Sequence, residues 1–121
     1  MSRSLPESLE PIVRHRFADA GLLLLALTHR SMQRGVSNQR LEFLGDRVLG
    51  LVVAEMLYAA FPEEQEGELA RRHAGLVCGT TLAEVAQETG LGTYLQLSPS
   101  EDAGGGRENP SNLEDVCLSL I

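Results

Sequence analysis

Apolar positions recur with helical spacing along most of the chain, and they mark out a series of helices. Between residues 5 and 17, Leu9, Ile12, Val13 and Phe17 fall on one face, with Pro6 tolerable in a first turn. Asp19 is placed to cap a second helix from Ala20 to about Thr28, whose leucine run is apolar nearly all round and is expected to be buried. Residues 31–38 read as a loop. Asn38 can cap a long third helix that continues to about Phe61, where Pro62 stops it. Its apolar residues between Leu41 and Leu57 surround the axis, so cover on several sides is expected. Residues 68–77 form a fourth helix. A fifth is capped by Thr80 or Thr81 and ended by Gly90, with a closing turn around Gly92. Residues 98–111, rich in Gly, Ser and Pro, read as a flexible loop long enough for a role in function or for disorder. Ser111 or Asn112 then starts a last helix over 113–121. With no strand-like alternation and no repeat, the pattern predicts an all-α fold in one domain.

Charge changes what such a domain can bind. The chain has 17 Asp and Glu against 10 basic residues, and all 10 are Arg. Bulk electrostatics therefore oppose nucleic-acid binding, which needs local Arg clusters, a cation offsetting grouped carboxylates, or a separate basic domain. Cys78 and Cys117 lack CxxC spacing and a nearby His, so buried free thiols are expected. The opening stretch MSRSLPESLE has no apolar signal core, and the longest apolar run, at 22–27, is far short of a membrane span. The expectation is a cytoplasmic protein without a membrane partner.

Candidate chemistry rests on carboxylates in apolar surroundings. Glu42 and Asp46 stand four residues apart on one face of the most apolar helix. Exposed, their repulsion amounts to about a few tenths of a kcal/mol; burial without a partner costs roughly several. Either a cation lies between them or both occupy a solvated strip and pair with Arg40 and Arg47. Glu114 and Asp115 open the last helix, where the helix dipole alone favours acidic residues.

The joint pattern decides between these readings. The run NQRLEFLGDRVLGLVVAEMLY at 38–58 resembles the signature of the ribonuclease III family. The family's other landmarks follow in order: ALTHRS at 26–31, FP and EGEL at 61–69, LV at 76–77, TLAEVAQETGLGTYL at 81–95, a Gly-rich loop and a last helix. The resemblance implies the helical nuclease domain of a metal-dependent endonuclease that hydrolyses double-stranded RNA, as in RNA and rRNA processing. It implies Mg²⁺, for which Mn²⁺ can substitute, at Glu42, Asp46 and Asp115, with Glu66 a further acidic residue near the site. It also implies a symmetric homodimer paired through the signature helix. Gly45 and Gly50 would then allow close backbone approach, for which a dimer seam is one reason. Phosphate contacts are assigned to Arg40, Arg71, Arg72 and Arg107.

The chain departs from the family pattern at two carboxylate positions, where it carries Gln39 and Leu118. The second is a metal-site position: three residues after Asp115 is the same helix face, and a leucine cannot ligate. Glu114 is rotated by roughly 100° and is a poor substitute. The reading is thus a nuclease domain over 1–121 with its final helix cut short and no double-stranded-RNA-binding domain. The alternative is a catalytically inactive member of the fold acting as an RNA-binding or ribosome-associated scaffold. An all-α nucleotide pyrophosphohydrolase would share paired helix carboxylates but not the ALTHRS and LEFLGD runs.

Overall fold

A computed structural model describes residues 5–32 and 35–121. Residues 1–4, part of the stretch read for a signal, and residues 33–34, within the expected loop, lie outside the described residues. The described chain is helical: α1 Leu5–Val13, α2 Ala20–Ala26, α3 Gln39–Ala60, α4 Glu66–Val77, α5 Gly79–Thr89, α6 Pro99–Ala103 and α7 Pro110–Ser119, with 3₁₀ turns at Arg30–Met32 and Leu91–Tyr94. The all-α expectation holds. An isolated parallel bridge between Thr28 and Gln96 is the nearest approach to strand structure among the described residues.

Local chemistry sets the helix ends. Arg14 takes a left-handed conformation, φ 55°, which ends α1 earlier than its apolar spacing implied. Asp19 caps α2 as expected, its carboxylate accepting from Leu22 N–H at 3.0 Å. Gly90, at φ 74°, ends α5 in the left-handed conformation that glycine adopts without strain. Cys78, rather than a threonine, precedes α5 and is exposed, which corrects the expectation of a buried thiol.

The core joins Leu9 of α1, Leu23 of α2, Ala83 and Ala86 of α5, Leu91, Leu95 and Leu97, and Leu113 and Val116 of α7. Only part of α2 belongs to it, because Leu22 and Leu24 are about half exposed. Helix α3 packs against α7 and α4 along one side. Of its residues only Gly45 and Leu57 are fully buried, while Phe43, Leu51, Met56 and Tyr58 are exposed by 62%, 70%, 63% and 77%. Within the single chain, therefore, α3 is not covered on several sides.

The expected flexible loop at 98–111 is folded. Ser98 caps α6, accepting from Glu101 N–H at 3.2 Å. Arg107 donates to the carbonyls of Gly92, Thr93 and Leu95 at 3.1, 3.2 and 2.7 Å and pairs with Asp102. Asn109 caps α7 ahead of Pro110, its side-chain oxygen accepting from Ser111 and Asn112 N–H. Helix α7 thus starts before the expected Ser111 or Asn112, on an Asn-Pro pair whose cap and fixed φ favour initiation.

Candidate active site

Glu42 stands in the first turn of α3 and Asp115 in the middle of α7. The two helices come into close contact at Gly45, one turn beyond Glu42. A side chain there would collide with the carbonyl of Leu118, so only glycine permits this approach. Contact within the chain is thus reason enough for Gly45, where another backbone does approach closely. At Gly50 the neighbour is His73, whose Nε2 donates to the Gly50 carbonyl at 2.8 Å, and a Cβ there would make only an ordinary contact with its ring.

At this seam the Asp115 carboxyl comes near enough to Glu42 to act on its ionisation. Both are half-buried. The Glu42 carboxyl is pushed up to about 7, first by burial, then by the Asp115 charge and the hydrogen bond with Asp115, then by the Glu114 charge, against the opposing effect of Arg30. Glu42 thereby keeps its proton to a higher pH than an isolated carboxyl group would. Glu114 is turned toward the start of α5, where a Cβ on Gly79 would lie 2.5 Å from its Oε2. It reaches Glu42 through its charge rather than by facing Asp115.

The other expected site residues are placed differently. Asp46 is exposed and pairs with Arg47 at 3.0 Å, and Arg47 in turn stacks 3.9 Å from the Phe43 ring centroid. This is the solvated-strip arrangement, and such an exposed pair contributes about 0–1 kcal/mol. Glu66 is exposed at the first position of α4. Gln39 is exposed, its backbone N–H donating to Ser37 Oγ at 3.4 Å. Leu118 is 4% exposed, outside the main core cluster.

Among the arginines, Arg40 and Arg71 are exposed. Arg72 is bound to Glu64 at 2.7 and 2.8 Å and stacked on Phe61 at 3.8 Å from its centroid. Arg107 is committed to its loop carbonyls, a structural use that composition does not reveal. Arg30, which acts on Glu42, was not singled out from sequence; its place in the ALTHRS run was the available signal.

A divalent cation suits part of this donor set. Mg²⁺ is commonly held by one or two carboxylates and keeps several waters, and a cation can replace a shared proton between two carboxyl groups. Leu118 offers no further donor. Among the described residues no group of three or more His, Cys, Asp or Glu side chains converges as a metal cage. The fit is therefore to two protein ligands.

Fold and site together define an all-α domain with a paired-carboxylate centre. The family described as Ribonuclease-III-like matches residues 19–121. Proteins called Ribonuclease 3 from Azorhizobium caulinodans and Methylocella silvestris are 52% and 53% identical to the chain, each over 94% of it. The chain belongs to the ribonuclease III family. It spans about half the length of these curated relatives, 51% and 49% respectively. Two solved structures of the ribonuclease III nuclease domain from Campylobacter jejuni superpose with a TM-score of 0.90 at 41% and 40% identity. They cover 94% and 98% of this chain, which matches 80% of each of theirs. One is described in terms of structural flexibility in a region involved in dimer formation.

Proposed function

We propose that the chain is the nuclease domain of an Mg²⁺-dependent endonuclease that hydrolyses phosphodiester bonds in double-stranded RNA. The observation that carries this reading is the facing pair Glu42 and Asp115, with Glu42 held up to about 7. Glu42 releases its proton near neutrality, and the two carboxylates then offer oxygen ligands to a hard cation. Bound there, Mg²⁺ would supply charge stabilisation and an activated water for in-line attack. Glu42 and Asp115 would hold it, and Asp46 and Glu66 stand as outlying carboxylates of the same reading. Arg30 tempers the negative charge at Glu42. Of the four arginines expected at phosphates, Arg40 and Arg71 are exposed, whereas Arg72 and Arg107 already have partners. With a net charge of -7, the domain would engage RNA through such local contacts and the cation rather than through its overall field.

A symmetric homodimer belongs to the proposal. The exposed apolar band of α3 supports it, as does the dimer formation named for the Campylobacter jejuni nuclease domain. Pairing along α3 would place two carboxylate pairs along one duplex.

One observation favours the alternative of a non-catalytic RNA-binding scaffold: Leu118 is buried where the family resemblance implies a ligating carboxylate. Incubation of a long RNA duplex with the protein in Mg²⁺ and in chelator separates the two. The nuclease reading expects Mg²⁺-dependent cleavage that falls at least about a hundredfold in Asp115→Asn, the scale on which loss of a charge-stabilising group acts. Duplex binding without cleavage in either condition supports the scaffold.

A further inference from the structure

Residues 26–31 are tied by buried polar bonds to both helices that carry the carboxylate pair. Ahead of α3, Asn38 donates its backbone N–H to the Thr28 carbonyl at 2.9 Å and its side-chain Nδ2 to the Ala26 carbonyl at 3.1 Å. At the end of α7, Ser119 Oγ donates to the same Ala26 carbonyl at 2.6 Å. At the start of α7, His29 Nε2 lies 3.0 Å from Asn112 Oδ1. Ser31 N–H donates to His29 Nδ1 at 3.0 Å, so the proton of the neutral ring is on Nε2 and is donated to Asn112. The Asn112 amide in turn donates to Glu101 Oε1 at 3.1 Å and to the Gly106 carbonyl at 3.0 Å. His29, Asn38, Asn112 and Ser119 are all buried, and among the described residues no buried side-chain N or O lacks a partner.

Helix geometry connects this network to the site. Asn38 precedes Glu42 by four residues, Asn112 precedes Asp115 by three and Ser119 follows it by four. Each is one turn from a carboxylate and on its side of the helix. One short segment thus grips α3 below Glu42 and α7 on both sides of Asp115. Apolar residues of similar volume can serve stability equally well in such a place; a fully satisfied polar network adds a single defined register.

We propose that His29, together with Asn38, Asn112 and Ser119, is a positioning residue that fixes the separation of the Glu42 and Asp115 carboxyl groups across the α3–α7 seam. The proposal rests on the reading of that pair as the reactive centre. None of the four touches the pair's ligand; they act through the helices they hold. Loss of a side chain that orients a metal's ligands in this way typically changes metal affinity about 10- to 100-fold.

Two substitutions divide the roles of His29. The amide nitrogen of His29→Gln reaches the place of Nε2 and keeps the donation to Asn112 while dropping the bond from Ser31. The shorter side chain of His29→Asn keeps an acceptor for Ser31 and abandons Asn112. Two readouts apply to the wild type and to each variant: the coupling between Glu42→Gln and Asp115→Asn in a thermal double-mutant cycle run in chelator, and Mg²⁺ affinity by calorimetry. Coupling and affinity are expected to survive in His29→Gln. In His29→Asn the coupling is expected to vanish and Mg²⁺ affinity to fall by at least about tenfold.

Equal losses in both variants, or no loss in His29→Asn, overturn the proposal. Ser119→Ala is the milder companion, because the Ala26 carbonyl keeps its bond from Asn38; unchanged coupling there also overturns it. A wild type that shows the coupling but binds no Mg²⁺ supports the positioning role and refutes the proposed metal site. A wild type without the coupling refutes the positioning role.

Discussion

The backbone carbonyl of Leu118 occupies the space into which a side chain on Gly45 would project. Helices α3 and α7 therefore meet backbone to backbone, at the seam where Asp115 acts on Glu42. Alanine is ordinarily the better helix former by about 1 kcal/mol, but at Gly45 its methyl group would force the helices apart. Gly45→Ala should destabilise the domain by about 1–3 kcal/mol, the usual scale of overpacking. Gly50→Ala is the control: its Cβ would sit 3.9 Å from the His73 ring, an ordinary contact, and a small gain in melting temperature is expected. Similar melting temperatures for the two variants would contradict the close approach at Gly45.

The raised Glu42 carboxyl makes the metal-free protein sensitive to pH. Its ordinary value is 4.5 and its folded value about 7, so between these the folded state binds more protons than the unfolded state. Stability from this group is fully present below about 4.5 and is lost as pH rises through about 7. In chelator, Glu42→Gln should melt above the wild type at pH 8, and the gap should close or reverse near pH 5. Parallel melting curves across that range would show that Glu42 is not held up.

Leu118→Glu tests whether the last helix faces the site as its spacing implies. Leu118 is buried at 4% exposure, so an unpaired carboxylate there should cost several kcal/mol, on the order expected for burying a charge, and lower the melting temperature in chelator. Mg²⁺ should restore part of the loss, because binding to the folded state alone stabilises it. Duplex-RNA cleavage should rise above the wild-type level. Equal destabilisation with and without Mg²⁺ would place position 118 away from the cation.

The apolar band on α3 gives an expectation for assembly. Exposures of 62–77% at Phe43, Leu51, Met56 and Tyr58 are high for large apolar side chains on one helix. Sedimentation at micromolar concentration should give twice the chain mass, and Leu51→Glu should shift it to the monomer. A monomeric wild type would contradict the paired arrangement.

The helices were legible in the sequence because their apolar spacing and caps agree, as at Asp19 and Gly90. What was not legible depends on contacts between distant segments. What covers α3 was not legible, since an apolar periphery does not say whether cover comes from the same chain; here α7 and α4 pack on it while Phe43, Leu51, Met56 and Tyr58 stay exposed. Residues 98–111 read as a loop by composition, yet the Arg107 bonds to three carbonyls hold them in place. Glu42 and Asp115 were both named from sequence. Their separation from Asp46, which turns to Arg47, was hidden because residues four apart share a helix face but not necessarily a partner. His29, Asn112 and Ser119 carry no sequence pattern that distinguishes a buried polar network from scattered polar residues.

If Glu42 and Asp115 form a cation site, Mg²⁺ affinity must change with pH. A cation that displaces the proton held by Glu42 must bind more tightly as that proton leaves. Calorimetry between pH 5 and 9 should show affinity rising by up to about tenfold per pH unit below 7 and levelling off above it, with one proton released per ion on the rising limb. Glu42→Gln should bind weakly and without that rise. Wild-type affinity that is independent of pH, or unchanged in Glu42→Gln, would contradict the account.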